Sequence, residues 1–341
     1  MGRTDMRSQA LDLLRFPLAV VVLAVHVFSS DGIIIQGETS GWADYPIFAE
    51  FNCFIDGFLR KQSVPIYYFI SGYVFFLGVE MTRTTYLRKF KNRMHSLFFP
   101  YLIWNTLAVL LLALTLNSPF SQYTAYASRF TFSLPSFLSC YWAYDGGLAG
   151  LELEQLFPLD VPLWFLRNLM IIVLCTPLLH FVLKRTKHYV VLALGVLWLL
   201  EPLYSAYLAL DRMYFLTAFF FFSFGAYMSI NRRDMLVEFG HLSKFSVVSY
   251  VLLGAGYVLS QHYFPAAAPM LKQMNILAGL LFAYNLAAWL LKRGICKVNP
   301  FLASASFFIY VSHSLIASKI LKLLFVAFRP ANDWALLAVH L

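Results

Sequence analysis

The chain has 341 residues, 60% of them hydrophobic and only 13% charged, with a formal net charge of +9. A soluble globular domain carries roughly 45–50% apolar and about 25% charged residues, so this composition excludes one and points to a membrane protein of many spans. The positive charge does not indicate a nucleic-acid partner, because it gathers in short segments between apolar runs, where it marks the cytoplasmic side.

A helix needs about 20 residues to cross the hydrocarbon core. The predicted spans are 10–29, 64–80, 97–116, 161–183, 189–203, 213–230, 245–261, 272–291 and 300–326. A tenth begins near 333 and stops at Leu341, too short to cross, so it reads as a truncated span or a surface segment. The expected fold is all-α: a polytopic transmembrane helical bundle of about ten helices, forming one domain over 1–341. The first apolar run has no small-residue cleavage site after it, so it reads as a span and not as a signal peptide.

Placing the N-terminus inside puts Arg3, Arg7, Arg83, Arg88, Lys89, Lys91, Arg93, Lys184, Arg185, Lys187, Arg232, Arg233, Lys244, Lys292, Arg293 and Lys297 on one side. It leaves few basic residues outside, among them Arg60, Lys61, Arg129, Arg212, Lys272 and Arg329. This asymmetry predicts a cytoplasmic N-terminus. Most acids, including Asp31, Glu38, Asp44, Glu50 and Asp56, fall outside. The outside segments 30–63 and 117–160 are rich in aromatic residues and are expected along the interface. Cys53, Cys140, Cys175 and Cys296 show no metal or redox spacing, so no metal site is expected.

The first span, "LDLLRFPLAVVVLAVHVF", carries Asp12, Arg15 and His26. Arg15 and His26 are 11 residues apart, which returns a helix to within about 20° of its start and separates them by about 16 Å. One helix face thus holds a fixed cation inward and a titratable base outward, and Asp12 is spaced to pair with Arg15. Ionisable groups inside a membrane are functional by default. The plainer reading is that Arg15 reaches the inner headgroups and His26 the outer interface.

In the second span, Ser71 and Gly72 interrupt an aromatic run before Tyr73, which suits either a close helix contact or a ligand. The basic stretch 83–104 reads as an inner loop able to hold phosphate, or as an ordinary cytoplasmic loop. Trp164, Arg167 and Asn168 open the fourth span, and His313 lies about midway down the ninth. Such groups need partners in the bundle interior.

Taken in order, these blocks resemble the acyltransferase 3 family of polytopic membrane acyltransferases. Arg15, ten residues, then His26 resemble its first-helix signature, preceded by the aspartate of "LDLLR". "VPIYYFISGYVF" resembles its second helix, with Tyr67–Tyr68 in place of two phenylalanines, and "FFPYLIW" the opening of its third. "LWFLRNL" and "YVSHSL" match later blocks, so the resemblance covers nearly the whole chain.

The resemblance implies transfer of an acyl group, commonly acetyl from acetyl-CoA, to a sugar hydroxyl of an envelope polysaccharide or glycolipid. A sugar hydroxyl needs a base to attack a thioester, and histidine titrates near neutrality. His26 is the expected base or transient acyl acceptor, with Arg15 steadying a CoA phosphate or holding Asp12 so that the helix face stays ordered. Arg88, Lys89 and Arg93 are expected to draw in CoA, with Ser71 and Gly72 close to it. Tyr73, Trp164, Arg167, Asn168 and His313 are expected to line the substrate cavity. Acetyl-CoA or another acyl-CoA is a co-substrate from the cytoplasm, no cofactor is permanently bound, and the expected location is the bacterial inner membrane. The competing reading is a glycan or lipid transporter, disfavoured because no acid falls mid-span.

Overall fold

The computed structural model describes residues 3–28, 33–35, 38–40, 45–78, 80–119, 121, 133–142, 157–204, 214–328 and 330–340. Asp31, Asp44, Arg129, Arg212, Arg329 and much of the segment 117–160 lie outside the described residues. The chain forms α1 (Arg3–Val27), a hairpin of β1 (Ile33–Ile35) and β2 (Glu38–Ser40), α2 (Pro46–Phe58), α3 (Ser63–Phe76) and α4 (Arg83–Leu116). There follow α5 (Leu134–Ser139), α6 (Trp164–Thr186), α7 (Tyr189–Leu199), α8 (Glu201–Tyr204), α9 (Phe215–Ile230), α10 (Met235–Glu238), α11 (Ser243–Tyr263) and α12 (Ala268–Lys292). The chain closes with α13 (Pro300–Ser312), α14 (Ala317–Phe328) and α15 (Asp333–His340). The strands pair antiparallel, with Ile34 opposite Thr39.

This is a helical membrane bundle. Among the described residues, five helical stretches are long and apolar enough to cross a bilayer: Met6–His26, Arg83–Leu116, Val161–Thr186, Met235–Tyr263 and Pro265–Lys292. Between helices lipid tails replace water, so shape and polar contacts decide packing. The faces of α4 show this. Tyr101, Asn105, Ala108 and Leu112 recur at helical spacing and are buried, whereas Ile103, Leu110 and Leu114 point outward.

Several expectations are revised. The basic stretch 83–104 is not a loop but lies wholly within α4, capped by Thr82, whose hydroxyl accepts from the Thr85 N–H at 3.2 Å. The ninth span is interrupted between Ser312 and Ala317. The segment 333–340 lies at the surface, as a short helix anchored to its neighbours. The Phe48 N–H donates to Asp333 Oδ1 at 2.8 Å, Tyr45 donates to the Pro330 carbonyl at 2.7 Å, and Phe28, Phe48, Phe325 and Leu336 make a small second core.

The closest helix crossing is α3 on α9. A Cβ on Gly72 would lie 2.0 Å from the Phe222 carbonyl oxygen, and one on Gly225 2.0 Å from that of Phe69. The two backbones touch, which only glycine allows. The neighbour at each point is backbone and cannot swing aside. Gly72→Leu is therefore expected to destabilise by at least the ~1–3 kcal/mol typical of overpacking. The check is thermal melting of the purified variant in detergent, where a melting temperature equal to wild type would contradict the crossing.

Candidate active site

The predicted site residues separate into two ends of the bundle. At one end Arg7 lies 3.9 Å from Asp234, the residue that caps α10. Tyr73 is buried within electrostatic reach of both, so it packs there and not beside His26. Lys89 donates to the Phe75 carbonyl at the end of α3 and sits over the Phe75 ring at 5.5 Å. Arg93 lies close enough to Arg15 for their charges to repel, and Lys89 feels Arg88 and Arg93 in the same way. Arg15 pairs with Asp12 at 3.3 Å, and its backbone carbonyl accepts from Tyr67 at 2.5 Å. Arg15, Arg88, Lys89 and Arg93 thus form one cationic cluster, into which Asp12 contributes a carboxylate. Ser71 is half-buried in the helix whose neighbouring Gly72 is taken up by the α9 crossing.

The other end holds a cavity of about 700 Å³, within the ~300–1,000 Å³ usual for small-molecule sites. His26, in the last turn of α1, lines it and is exposed to it. Trp164 lines the opposite wall, with its ring 4.7 Å from that of Tyr214. Arg15 is absent from this wall. The shared helix face is real in register, but the two groups serve separate ends. His313 lies behind His26, with ring centroids 4.8 Å apart.

Arg167 and Asn168 are fully buried and do not line the cavity. The Arg167 Nε donates to Asn168 Oδ1 at 3.2 Å, and its other nitrogen donates to the Trp142 carbonyl, with the guanidinium 5.4 Å over the Trp142 ring. They hold the segment after α5 against α6.

Sequence reasoning missed the group that fixes His26. Arg60, expected as an outside loop residue, is folded into the turn between α2 and α3. It donates to the carbonyls of Val25 at 3.3 Å and Phe28 at 2.7 Å, on either side of His26. It also pairs with Asp56, one helical turn earlier. Asp56 in turn receives Lys272 at 2.5 Å and the Tyr257 hydroxyl. Burial alone raises the Asp56 carboxyl. Lys272 beside it, the hydrogen bonds from Lys272 and Tyr257, and the Arg60 charge more than reverse that and hold it below its ordinary value. Asn275 completes the clamp by donating to the Gly57 carbonyl at 2.7 Å. The signals were present in "IDGFLRK", with its acid and base four residues apart, and in the lone lysine of "PMLKQMN". Lys61 and Glu201 add charges of both signs to the cavity wall.

A buried acid was missed as well. Asp160, just before α6, is 1% exposed, and its N–H donates to Asn105 Oδ1 at 3.4 Å. Burial pushes its carboxyl up to about 7, against the lowering effects of Ser314 and Lys319. Among the described residues no group of three histidine, cysteine or acidic side chains is placed to hold a metal ion.

A profile described as an acyltransferase domain matches residues 8–339. This chain is a multi-pass membrane acyltransferase. It belongs to the acyltransferase 3 family, whose profile spans all of the blocks read from the sequence. No curated protein and no solved structure matches it.

Asp160 carries a pH prediction. Its carboxyl ionises from an ordinary value of 3.8 in the unfolded chain and at about 7 in the folded one. Between these values the folded state holds the extra proton, so stability falls as pH rises and stays low above them. Asp160→Asn is expected to melt above wild type at about pH 8, with the gap closing toward about pH 4. Melting curves across that range check it, and a gap that widens on acidification would contradict the burial argument.

Proposed function

We propose that this acyltransferase moves an acyl group, acetyl from acetyl-CoA, to a hydroxyl of an envelope polysaccharide or glycolipid sugar, with His26 as the base. The observation that carries this reading is His26 itself: an imidazole open to a large cavity, at the opposite end of α1 from a cluster of like charges. A phosphate-bearing donor relieves the repulsion among Arg15, Arg88, Lys89 and Arg93, and CoA brings three phosphate groups.

The donor enters from the basic end, which we assign to the cytoplasm of a bacterial inner membrane, with the N-terminus on the same side. A second cavity of about 220 Å³ supports a route between the ends. It follows α1 from Leu13 to Val21, is almost wholly apolar, and shares Leu59 and Ser63 with the larger one. A thin pantetheine arm fits such a passage, and the acceptor arrives through the larger cavity. There the base must come within about 3 Å of the attacking oxygen. Trp164 and Tyr214 offer ring faces to a sugar, and Lys61, Glu201, Gln261 and Gln273 offer hydrogen bonds.

His26→Ala is expected to abolish acyl transfer while leaving the melting temperature and CoA binding near wild type. Near-normal turnover by the purified variant removes His26 from the mechanism. Lys89→Ala and Arg93→Ala are expected to raise the KM for acetyl-CoA with a much smaller change in kcat, because they act on binding and not on the bond that breaks. The opposite split, a lost kcat at constant KM, would place these residues at the chemistry. Sidedness is tested by an impermeant thiol reagent on single cysteines at positions 26 and 88 in a cysteine-free background. Position 88 should react only from the cytoplasmic face and position 26 more readily from the other, and the reverse pattern overturns the orientation.

A further inference from the structure

We propose that His313 is a positioning residue for His26, offering a fixed hydrogen-bond acceptor to the nitrogen that His26 turns away from the cavity. This rests on His26 being the base. The two rings meet with centroids 4.8 Å apart, tilted by 41°. His26 is open to the cavity, whereas His313 is 3% exposed and contributes nothing to the cavity wall.

The tautomer of His313 follows from its own contacts. Its Nδ1 lies 2.6 Å from the Tyr310 carbonyl oxygen and 3.3 Å from that of Ile309. A carbonyl oxygen only accepts, so Nδ1 carries the proton and Nε2 keeps its lone pair in the neutral ring. That Nε2 is buried without a hydrogen-bond partner. An unmet buried acceptor is costly and calls for a reason. The donor nearest by ring contact is the imidazole of His26.

The backbone is arranged around this pair. Helical structure stops at Ser312 and resumes at Ala317, although "SHSLIA" holds neither proline nor glycine. The charged groups about the pair are Arg60, which faces His26, and Asp160, which lies beside Ser314.

In the reaction, the acceptor oxygen attacks the thioester carbonyl carbon, and its proton passes to the cavity-facing nitrogen of His26. The imidazolium directs its second N–H to His313 Nε2, which accepts the hydrogen bond but not the proton. The tetrahedral intermediate collapses, the carbon–sulfur bond breaks, and the departing thiolate takes the proton from His26. Thioester and alcohol become ester and thiol, and His313 ends unchanged.

The test uses the purified full-length protein with acetyl-CoA, water as acceptor, and release of free CoA thiol as the readout. His313→Phe preserves a ring against His26 but offers no acceptor. His313→Gln loses the ring and keeps a side-chain carbonyl. His313→Phe and His313→Ala are expected to lower kcat about 100-fold or more, the lower range for acid–base assistance, with the KM for acetyl-CoA changed less than about twofold. His313→Gln is expected to exceed both by at least about tenfold. If the ring merely fills space the order reverses, with Phe above Gln. That result, or wild-type turnover by His313→Phe, overturns the proposal. Should the Phe variant fail to fold, the Gln and Ala variants decide it: Gln no faster than Ala overturns the proposal too. An active His26→Ala enzyme defeats the base assignment, whereas an inactive one beside an active His313→Phe defeats only this inference.

Discussion

The end of the bundle that holds His26 depends on one guanidinium. Arg60 lies where α2 turns into α3, and it reaches the carbonyls of Val25 and Phe28 that close α1 around His26. The last carbonyls of any helix lack partners within it, and a cation there meets both the hydrogen-bond need and the negative end of the helix dipole. A guanidinium largely withdrawn from water is expensive unless its charge is matched. Asp56 offsets it, and Lys272 and Tyr257 tie Asp56 to α12 and α11. One ion-pair and hydrogen-bond network therefore connects α2, α11 and α12 to the turn of α1 that carries His26. The network works because each member meets another's charge; removing one leaves a buried charge unmatched, which costs far more than the pair contributes.

The other end depends on a contact with no chemistry at all. At Gly72 and Gly225 the backbones of α3 and α9 touch, and this fixes where α3 ends. Phe75 at that end receives Lys89, so the position of the cationic cluster follows from the depth of the glycine crossing. By sequence alone, packing and ligand binding are equally open for this block, and the geometry assigns Gly72 to packing. A short α3 of 14 residues covers only about 21 Å, less than a full bilayer core. The bundle tolerates it because α3 is enclosed by other helices over most of its length: Tyr68, Phe69, Ile70, Tyr73, Phe75 and Phe76 are all buried.

What is legible in the chain follows a physical division. Apolar runs and basic asymmetry report on the solvent, so the all-helical membrane class and the main spans can be read directly. The Arg15 to His26 spacing reports on one helix, so their shared face can be read too. Relations between helices cannot. The pairing of His26 with His313 joins residues 287 positions apart, and nothing in either local pattern names the other. Arg60 reads as a loop residue because its neighbours are polar, whereas its carbonyl partners lie 32 and 35 residues away. Arg167 is expected in the cavity because polar groups in a span demand partners. It has them, in Trp142 and Asn168, on the other side of α6. Asp160 escapes notice because it precedes the apolar run and looks like an interfacial residue, yet α13 and Asn105 close over it.

These placements bear on why a neutral imidazole, and not a carboxylate, stands behind the proposed base. In a water-filled cleft a histidine base is commonly held by an ionised acid, which stabilises the imidazolium that forms. Here Arg60 already sits beside His26, and its charge is matched by Asp56. A second carboxylate against His26 would add a buried negative charge in the resting state, with no cation of its own. A neutral His313, proton held at Nδ1 by the Tyr310 carbonyl, adds no charge and still presents a lone pair. It orients the ring before the proton arrives, and it accepts a stronger, charge-assisted hydrogen bond once His26 is protonated. The interaction is then greatest when charge has developed, which is the condition for lowering a barrier and not merely for binding a substrate.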